Sequence, residues 1–149
     1  MLLLIRSMKD LHFGKLAQVY EESCPTLDAQ SDFYQYLRQV FFRTSGAVYC
    51  VWQEGENYTS ALRLEPYRDG LLLNGLETAP AHRRQGYAGT LLDAVLAAFG
   101  DAKIYSHIDH KNHPSRALHT GRGFEKLLDC ATFLDGSASN QSATYLWQK

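Results

Sequence analysis

Arg83-Arg84-Gln85-Gly86-Tyr87-Ala88 lies between an apolar run ending at Leu76 and an amphipathic run beginning at Leu91. That placement suits a loop that cradles a phosphate. Leu71-Leu72-Leu73 and Leu76, followed by Pro80, read as a buried strand that stops, because proline cannot donate to a central ladder. Ala88, Leu91, Leu92, Val95, Leu96 and Phe99 then recur at helical spacing and give one apolar face. A loop between such a strand and such a helix presents unpaired N–H groups at the positive end of the helix dipole, and both favour an anion. Gly86 allows close backbone approach, Arg83 and Arg84 add charged donors, and small Ala88 leaves room for a pyrophosphate. A Walker loop is excluded: Gly70 and Gly75 have the right separation, but Leu76 and Glu77 stand where Lys and Ser or Thr must be. No GxGxxG follows a strand either. Taken alone, the turn is equally an ordinary strand-to-helix connection with solvated arginines.

A second segment shifts the balance towards the first reading. In Asn112-His113-Pro114-Ser115-Arg116-Ala117-Leu118-His119-Thr120-Gly121-Arg122-Gly123-Phe124, the spacing aligns Asn112, Ser115 and His119 along one side of a short helix. Pro114 suits its first turn, and Gly121 and Gly123 suit its end. With these two motifs the chain resembles the GNAT superfamily of N-acetyltransferases. The signature of that superfamily is R/QxxGxG/A in the acyl-CoA pyrophosphate loop, then NxxSxxxY and a Gly-Phe pair downstream. Arg83, Gly86 and Ala88 match the first motif; Asn112, Ser115, Gly123 and Phe124 match the second.

The elements that must position these residues follow the superfamily's plan from end to end. Leu2 to Ile5 reads as a strand, followed by helical stretches at about Lys9 to Glu22 and Ala29 to Phe42. Ala47 to Trp52 and Tyr58 to Leu64 flank Glu54-Gly55-Glu56-Asn57, a hairpin turn by composition. A strand ending near Thr78 comes next, then the helix to about Phe99 and a strand at Ile104 to Ile108. After the Asn112 helix, strands are expected at about Leu127 to Leu134 and at Ala143 to Trp147. The resemblance implies an α/β (α+β) fold: a mostly antiparallel twisted sheet of about six or seven strands, flanked by about four helices and splayed to form the acyl-CoA cleft. One domain is expected over residues 1–149.

Composition bounds the reading. At 149 residues with 45% hydrophobic content, the chain can bury a sizeable core. A formal charge of −1 argues against a nucleic-acid partner, which needs clustered Lys and Arg. The apolar N-terminus is too short for a signal core or membrane span, so neither a membrane nor export is expected, and the location expected is cytoplasmic. Cys24, Cys50 and Cys130 are odd in number and widely spaced, which suggests reduced thiols. His107, His110 and His113 are three apart but straddle a strand end, a loop and Pro114, so no metal is expected.

The resemblance further implies acetyl-CoA as co-substrate, its carbonyl held by backbone near Leu76 to Thr78 and its pyrophosphate by Arg83, Arg84, Gln85, Gly86, Tyr87 and Ala88, with Asn112 and Ser115 beside it. An acceptor amine would attack the thioester directly. His119 occupies the slot where many members place a tyrosine that protonates the departing sulphur. Histidine is a less ready acid, protonated about a quarter of the time at pH 7, and an early helical turn would disfavour its cation further. It could act as acid, donate one N–H while neutral, or only pack the helix. Glu77 is the nearest carboxylate to the carbonyl-binding backbone; a base role, a water chain and a solvent-facing position all remain open. The superfamily walls its acceptor pocket with segments equivalent to Cys24 to Phe33 and Asp135 to Ser142. There Asp28, Asp32 and Asp135 could attract a cationic amine, with Tyr34 or Tyr36 stacking. Alternatively Asp28 or Ser31 only caps a helix and Asp135-Gly136-Ser137 is only a turn.

The function expected is acetyl transfer to the amine of a small or amino-acid-like molecule. A protein N-terminus or lysine as acceptor, and an acyl-CoA sensor without catalysis, are the alternatives. A monomer or homodimer is expected, the latter by pairing of an exposed Ala143 to Trp147 strand.

Overall fold

The computed structural model describes residues 1–149. A mixed sheet of seven strands runs in the order β1 (Leu2–Ile5), β2 (Val48–Glu54), β3 (Asn57–Tyr67), β4 (Gly70–Thr78), β5 (Ile104–Asp109), β9 (Ser142–Trp147) and β6 (Glu125–Leu128). Every neighbouring pair is antiparallel except β4 and β5. The parallel pair needs a crossover, and α3 (Tyr87–Ala98) supplies it. Two further helices, α1 (Phe13–Val19) and α2 (Leu27–Gln39), join β1 to β2, while α4 (His113–Thr120) joins β5 to β6.

The sheet separates two cores, and strand alternation assigns residues to them. Tyr49 and Val51 face α1 and α2 together with Leu16, Leu37, Phe41 and Ala61. Val48 and Cys50 face α3 together with Leu62, Leu64, Leu73 and Phe124. The helical period of α3 buries Leu91, Leu92 and Val95 completely, each contributing on the order of 2 kcal/mol. No helix is long and apolar enough to cross a membrane.

Several boundaries differ from the sequence expectation. The first helix is shorter than Lys9 to Glu22, because His12 caps it: its Nδ1 accepts the Lys15 N–H at 3.1 Å, and residues Met8–Asp10 form a separate 3-10 turn. Thr26 caps α2, accepting the Ala29 N–H at 3.1 Å, so neither Asp28 nor Ser31 holds that position. The strand expected over Leu127 to Leu134 is broken in two. The chain turns at Asp129, which holds Lys126 at 3.1 Å, and Ala131–Thr132 (β7) pairs with Ala138–Ser139 (β8) in a small hairpin of its own. The last strand is no sheet edge: β9 is paired on one side with β5 and on the other with β6, so it cannot join two copies as expected. The edges are β1 and β6.

Candidate active site

β4 and β5 pair only where Leu71, Leu72 and Leu73 meet Ile104, Tyr105 and Ser106. Beyond that point β4 continues to Thr78 and β5 to Asp109 without touching, and the strands splay. A cleft of about 180 Å³ opens between them, lined among others by Gly75, Leu76, Ser106, Asn112, Ser115 and His119.

The splay coincides with a bulge on the other side of β4. Ala61 pairs with Glu77 and Arg63 with Asn74, so Leu62 alone stands against Gly75 and Leu76. Gly75 takes φ +64°, a left-handed conformation that suits glycine. An inserted residue reverses the alternation that follows it. Leu76 therefore packs with the core on which Leu73 lies, while Glu77 turns to the opposite face. Glu77 thus lines the cavity on the α1 and α2 side of the sheet.

The segment expected to hold the pyrophosphate connects the end of β4 to α3. Residues Pro80–His82 make a 3-10 turn, Arg84 takes φ +63° and Gly86, the cap of α3, takes φ +79°. None of the backbone N–H groups from Arg83 to Gly89 reaches a backbone carbonyl. Such a row of free donors at a helix N-terminus fits a pyrophosphate. Ala88 is half-buried and Gly89 buried, while Arg84, Gln85 and Gly86 are exposed; Tyr87 lies edge-on to His82. Arg83 is engaged elsewhere, holding Glu22 through two contacts of 2.6 and 2.8 Å. An exposed pair of this kind is worth about 0–1 kcal/mol, so an arriving phosphate can compete for the guanidinium.

At the base of the cleft, His119 is 1% exposed. Its Nδ1 lies 2.7 Å from the Ser115 carbonyl oxygen and its Nε2 lies 3.2 Å from Ser106 Oγ. A carbonyl can only accept, so the proton sits on Nδ1, and Nε2 accepts from the Ser106 hydroxyl. His119 lies in the last turn of α4, where the dipole favours a cation, and not in the early turn expected from sequence. Burial outweighs that dipole and holds its pKa below the ordinary value, with the Arg122 charge acting in the same direction and the Ser115 carbonyl opposing. The resting imidazole is neutral, and its one N–H is committed to Ser115 and faces away from Ser106. Asn112 caps α4 by accepting the Ser115 N–H at 3.2 Å. Thr78 Oγ1 lies 3.1 Å from Ser60 Oγ.

A second cavity, about 260 Å³, opens on the α1 and α2 side of β4. Tyr20, Ser23, Phe33, Tyr36, Arg63 and Glu77 line it, and Gly75 borders both cavities. Ser23 Oγ donates to Glu77 Oε2 at 2.9 Å, and Tyr20 Oη donates to the Gly75 carbonyl at 2.5 Å. Burial raises the Glu77 pKa, opposed by the Ser23 hydrogen bond and by the charges of Arg63 and Arg83. Asp28, Asp32 and Asp135 do not border this cavity. Asp135 binds the Ser137 N–H and hydroxyl in a turn, which lowers its pKa, and Tyr34 packs edge-on against Phe13. Sequence reasoning passed over Ser106, Tyr20, Ser23 and Arg63. Ser106 was a polar residue inside an apolar strand and Arg63 a charge inside another; those were the available signals.

His110 Nε2 lies 3.0 Å from the Asp129 carbonyl and His107 lies edge-on to Tyr67 and Phe133. No group of three His, Cys, Asp or Glu side chains is placed to hold a metal.

A family model described as the acetyltransferase (GNAT) family matches residues 13–124. The chain belongs to that family. Among solved structures, a GNAT-family acetyltransferase from Bacillus cereus is 17% identical with a TM-score of 0.68, covering 100% of this chain and 98% of its own. The PaiA N-acetyltransferase of Thermoplasma acidophilum, in complex with coenzyme A, is 11% identical with a TM-score of 0.66 over 100% and 99%. The diaminobutyrate acetyltransferase of Paenibacillus lautus, in complex with its substrate and coenzyme A, is 17% identical with a TM-score of 0.64 over 98% and 93%. At these identities the likeness to the solved structures is one of fold. No curated protein matches the sequence. In this acetyltransferase, then, the cleft between the splayed strands and the second cavity share Gly75 of β4 as a common wall.

Proposed function

We propose that the protein transfers an acetyl group from acetyl-CoA directly to the amine of a small or amino-acid-like molecule. The observation that carries this reading is the position of Gly75. It borders the cleft between β4 and β5 on one side and the aromatic-lined cavity that holds Arg63 and Glu77 on the other, an arrangement that would bring two ligands together. Acetyl-CoA would supply an activated acetyl thioester. The residues that would hold it are the N–H groups of Arg83 to Ala88, the backbone of Leu76 to Thr78, and Asn112 and Ser115 at the start of α4.

Glu77 faces the acceptor cavity with its carboxylate fixed by Ser23, and burial makes it a better proton acceptor than an exposed glutamate. His119 acts on the cleft through Ser106. When the imidazole is protonated, Nε2–H donates to Ser106 Oγ, and the hydroxyl is released to donate its own proton into the cleft. The imidazole proton then passes to Ser106 Oγ and the histidine returns to its neutral form.

Calorimetric titration with acetyl-CoA, beside free CoA and a Gly86→Asp variant, tests the reading. Gly86→Asp places an anion in the donor row at a left-handed φ, and binding should weaken by about 100-fold or more. Wild-type binding followed by thiol release with an amine is the expected result; no binding by the wild type would overturn it.

A further inference from the structure

The acceptor cavity contains a cation that is paired with no carboxylate. Arg63 takes part in none of the four ion pairs of the chain. Its guanidinium carbon lies 5.8 Å from the ring centroids of Phe33 and Tyr49 and 5.9 Å from that of Tyr36. Its Nη1 donates to Tyr49 Oη at 3.3 Å. The group also sits under the bulge: a Cβ at Gly75 would stand 2.9 Å from Nη2, so the glycine makes room for it. A guanidinium carries five donors. The side chain is half-buried, and no enclosed side-chain nitrogen or oxygen in the protein lacks a partner, so the unused donors open on the cavity. The carboxylates on the neighbouring strand positions are occupied, Glu77 by Ser23 and Glu65 by Asn74 at 2.6 Å.

A half-buried, aromatic-braced guanidinium with free donors matches a planar carboxylate, which it can hold bidentately. Glu77 pairs with Ala61, two residues before Arg63 on β3, and lines the same cavity. One negative and one positive group thus face the same small open cavity, which is the complement of a zwitterion.

We infer that the acceptor is an amine that also bears a carboxylate, with Arg63 as the receptor for the carboxylate and the amine directed towards Glu77 and Gly75. This rests on the acetyl-transfer reading above and names the substrate class for it.

The test is thiol release from acetyl-CoA by the full chain with free amino acids, each beside its carboxamide and its decarboxylated amine. The acid should exceed both partners by about 10-fold or more in kcat/KM, as loss of a charged bidentate contact implies. Arg63→Gln should erase that ratio, mainly through KM, while leaving acetyl-CoA affinity within about twofold; the latter also reports that the variant is folded. Arg63→Lys, which keeps the charge and loses the fork, should fall between. Equal use of acid and amide by the wild type, or an unchanged ratio in Arg63→Gln, would overturn the inference. Failure of the underlying reading has a different signature, no acetyl-CoA binding and no thiol release with any amine. Calorimetry of the same amino acids on wild-type and Arg63→Gln protein then still decides: binding lost in the variant supports the carboxylate receptor, and no binding to the wild type overturns it.

Discussion

On the β5 side of β4 the protein offers mainly backbone: N–H groups from Arg83 to Gly89 without carbonyl partners, a strand edge from Asn74 to Thr78, and one buried serine–histidine pair. On the α2 side it offers side chains, namely an aromatic-braced arginine, a glutamate held by a serine, and a tyrosine on the Gly75 carbonyl. The first arrangement suits a carbonyl and a pyrophosphate, groups that accept hydrogen bonds whatever the rest of the ligand. The second is specific to whatever complements its charges. The β3–β4 bulge lies at their boundary: it coincides with the end of β4–β5 pairing and turns Glu77 to the α2 side.

Gly75→Ala attacks the residue that the two sides share, and should have the largest effect among these tests. An alanine at φ +64° is strained by about 1–2 kcal/mol, and its Cβ displaces the Arg63 guanidinium. Thermal unfolding should register the strain, and kcat/KM for an acceptor amine should fall by about 100-fold. If only one of acceptor KM and acetyl-CoA affinity changes, the two sides are more independent than their common wall implies.

Next come Ser106→Ala and His119→Ala, confined to the cofactor side. Each should lower kcat by about 30- to 100-fold with acetyl-CoA affinity nearly unchanged, in the range of lost acid–base assistance. The double variant should be no worse than either single one, because the two residues work as a unit. Additive losses, or full activity in Ser106→Ala, would remove the relay. Comparing His119→Gln with His119→Ala separates loss of the relay from the cavity left by truncation.

The smallest effect is on stability. Burial keeps the His119 pKa below the ordinary 6.5, so the unfolded chain takes up a proton first as pH falls. Stability should therefore decline below about pH 6.5 and level off once the folded imidazole titrates as well. His119→Gln should flatten part of that decline in Tm between pH 7 and 5. Burial of His107 contributes with the same sign and persists in the variant. An identical pH slope in both proteins would mean that His119 is charged or solvated in the native state.

These two sides also differ in how far the sequence disclosed them. The side proposed for the cofactor is built from two short segments of glycine, alanine and cap residues, so Gly86, Ala88, Asn112 and Ser115 could be picked out as candidates by spacing, as could the strands and α3 by their periodicity. The acceptor side is assembled from Tyr20, Phe33, Arg63 and Glu77, whose proximity exists only once α1 and α2 have packed on β3 and β4. Spacing along the chain carries no sign of it. The bulge was hidden for a related reason: alternation through Leu71 to Thr78 looks regular until pairing with β3 shows one residue too many. The orientation of His119 depended on where α4 begins, and its neutrality on burial under Phe124, whose ring lies 4.8 Å away edge-on.

The sheet also divides what can be redesigned from what must be kept. Phe33 and Tyr36 on α2 and Arg63 on β3 contribute side chains to the acceptor cavity and nothing to the N–H row on the far side of the same strand. Under the proposed function, exchanging those three residues would change which amine is acetylated while the groups proposed to hold the acetyl donor stay as they are.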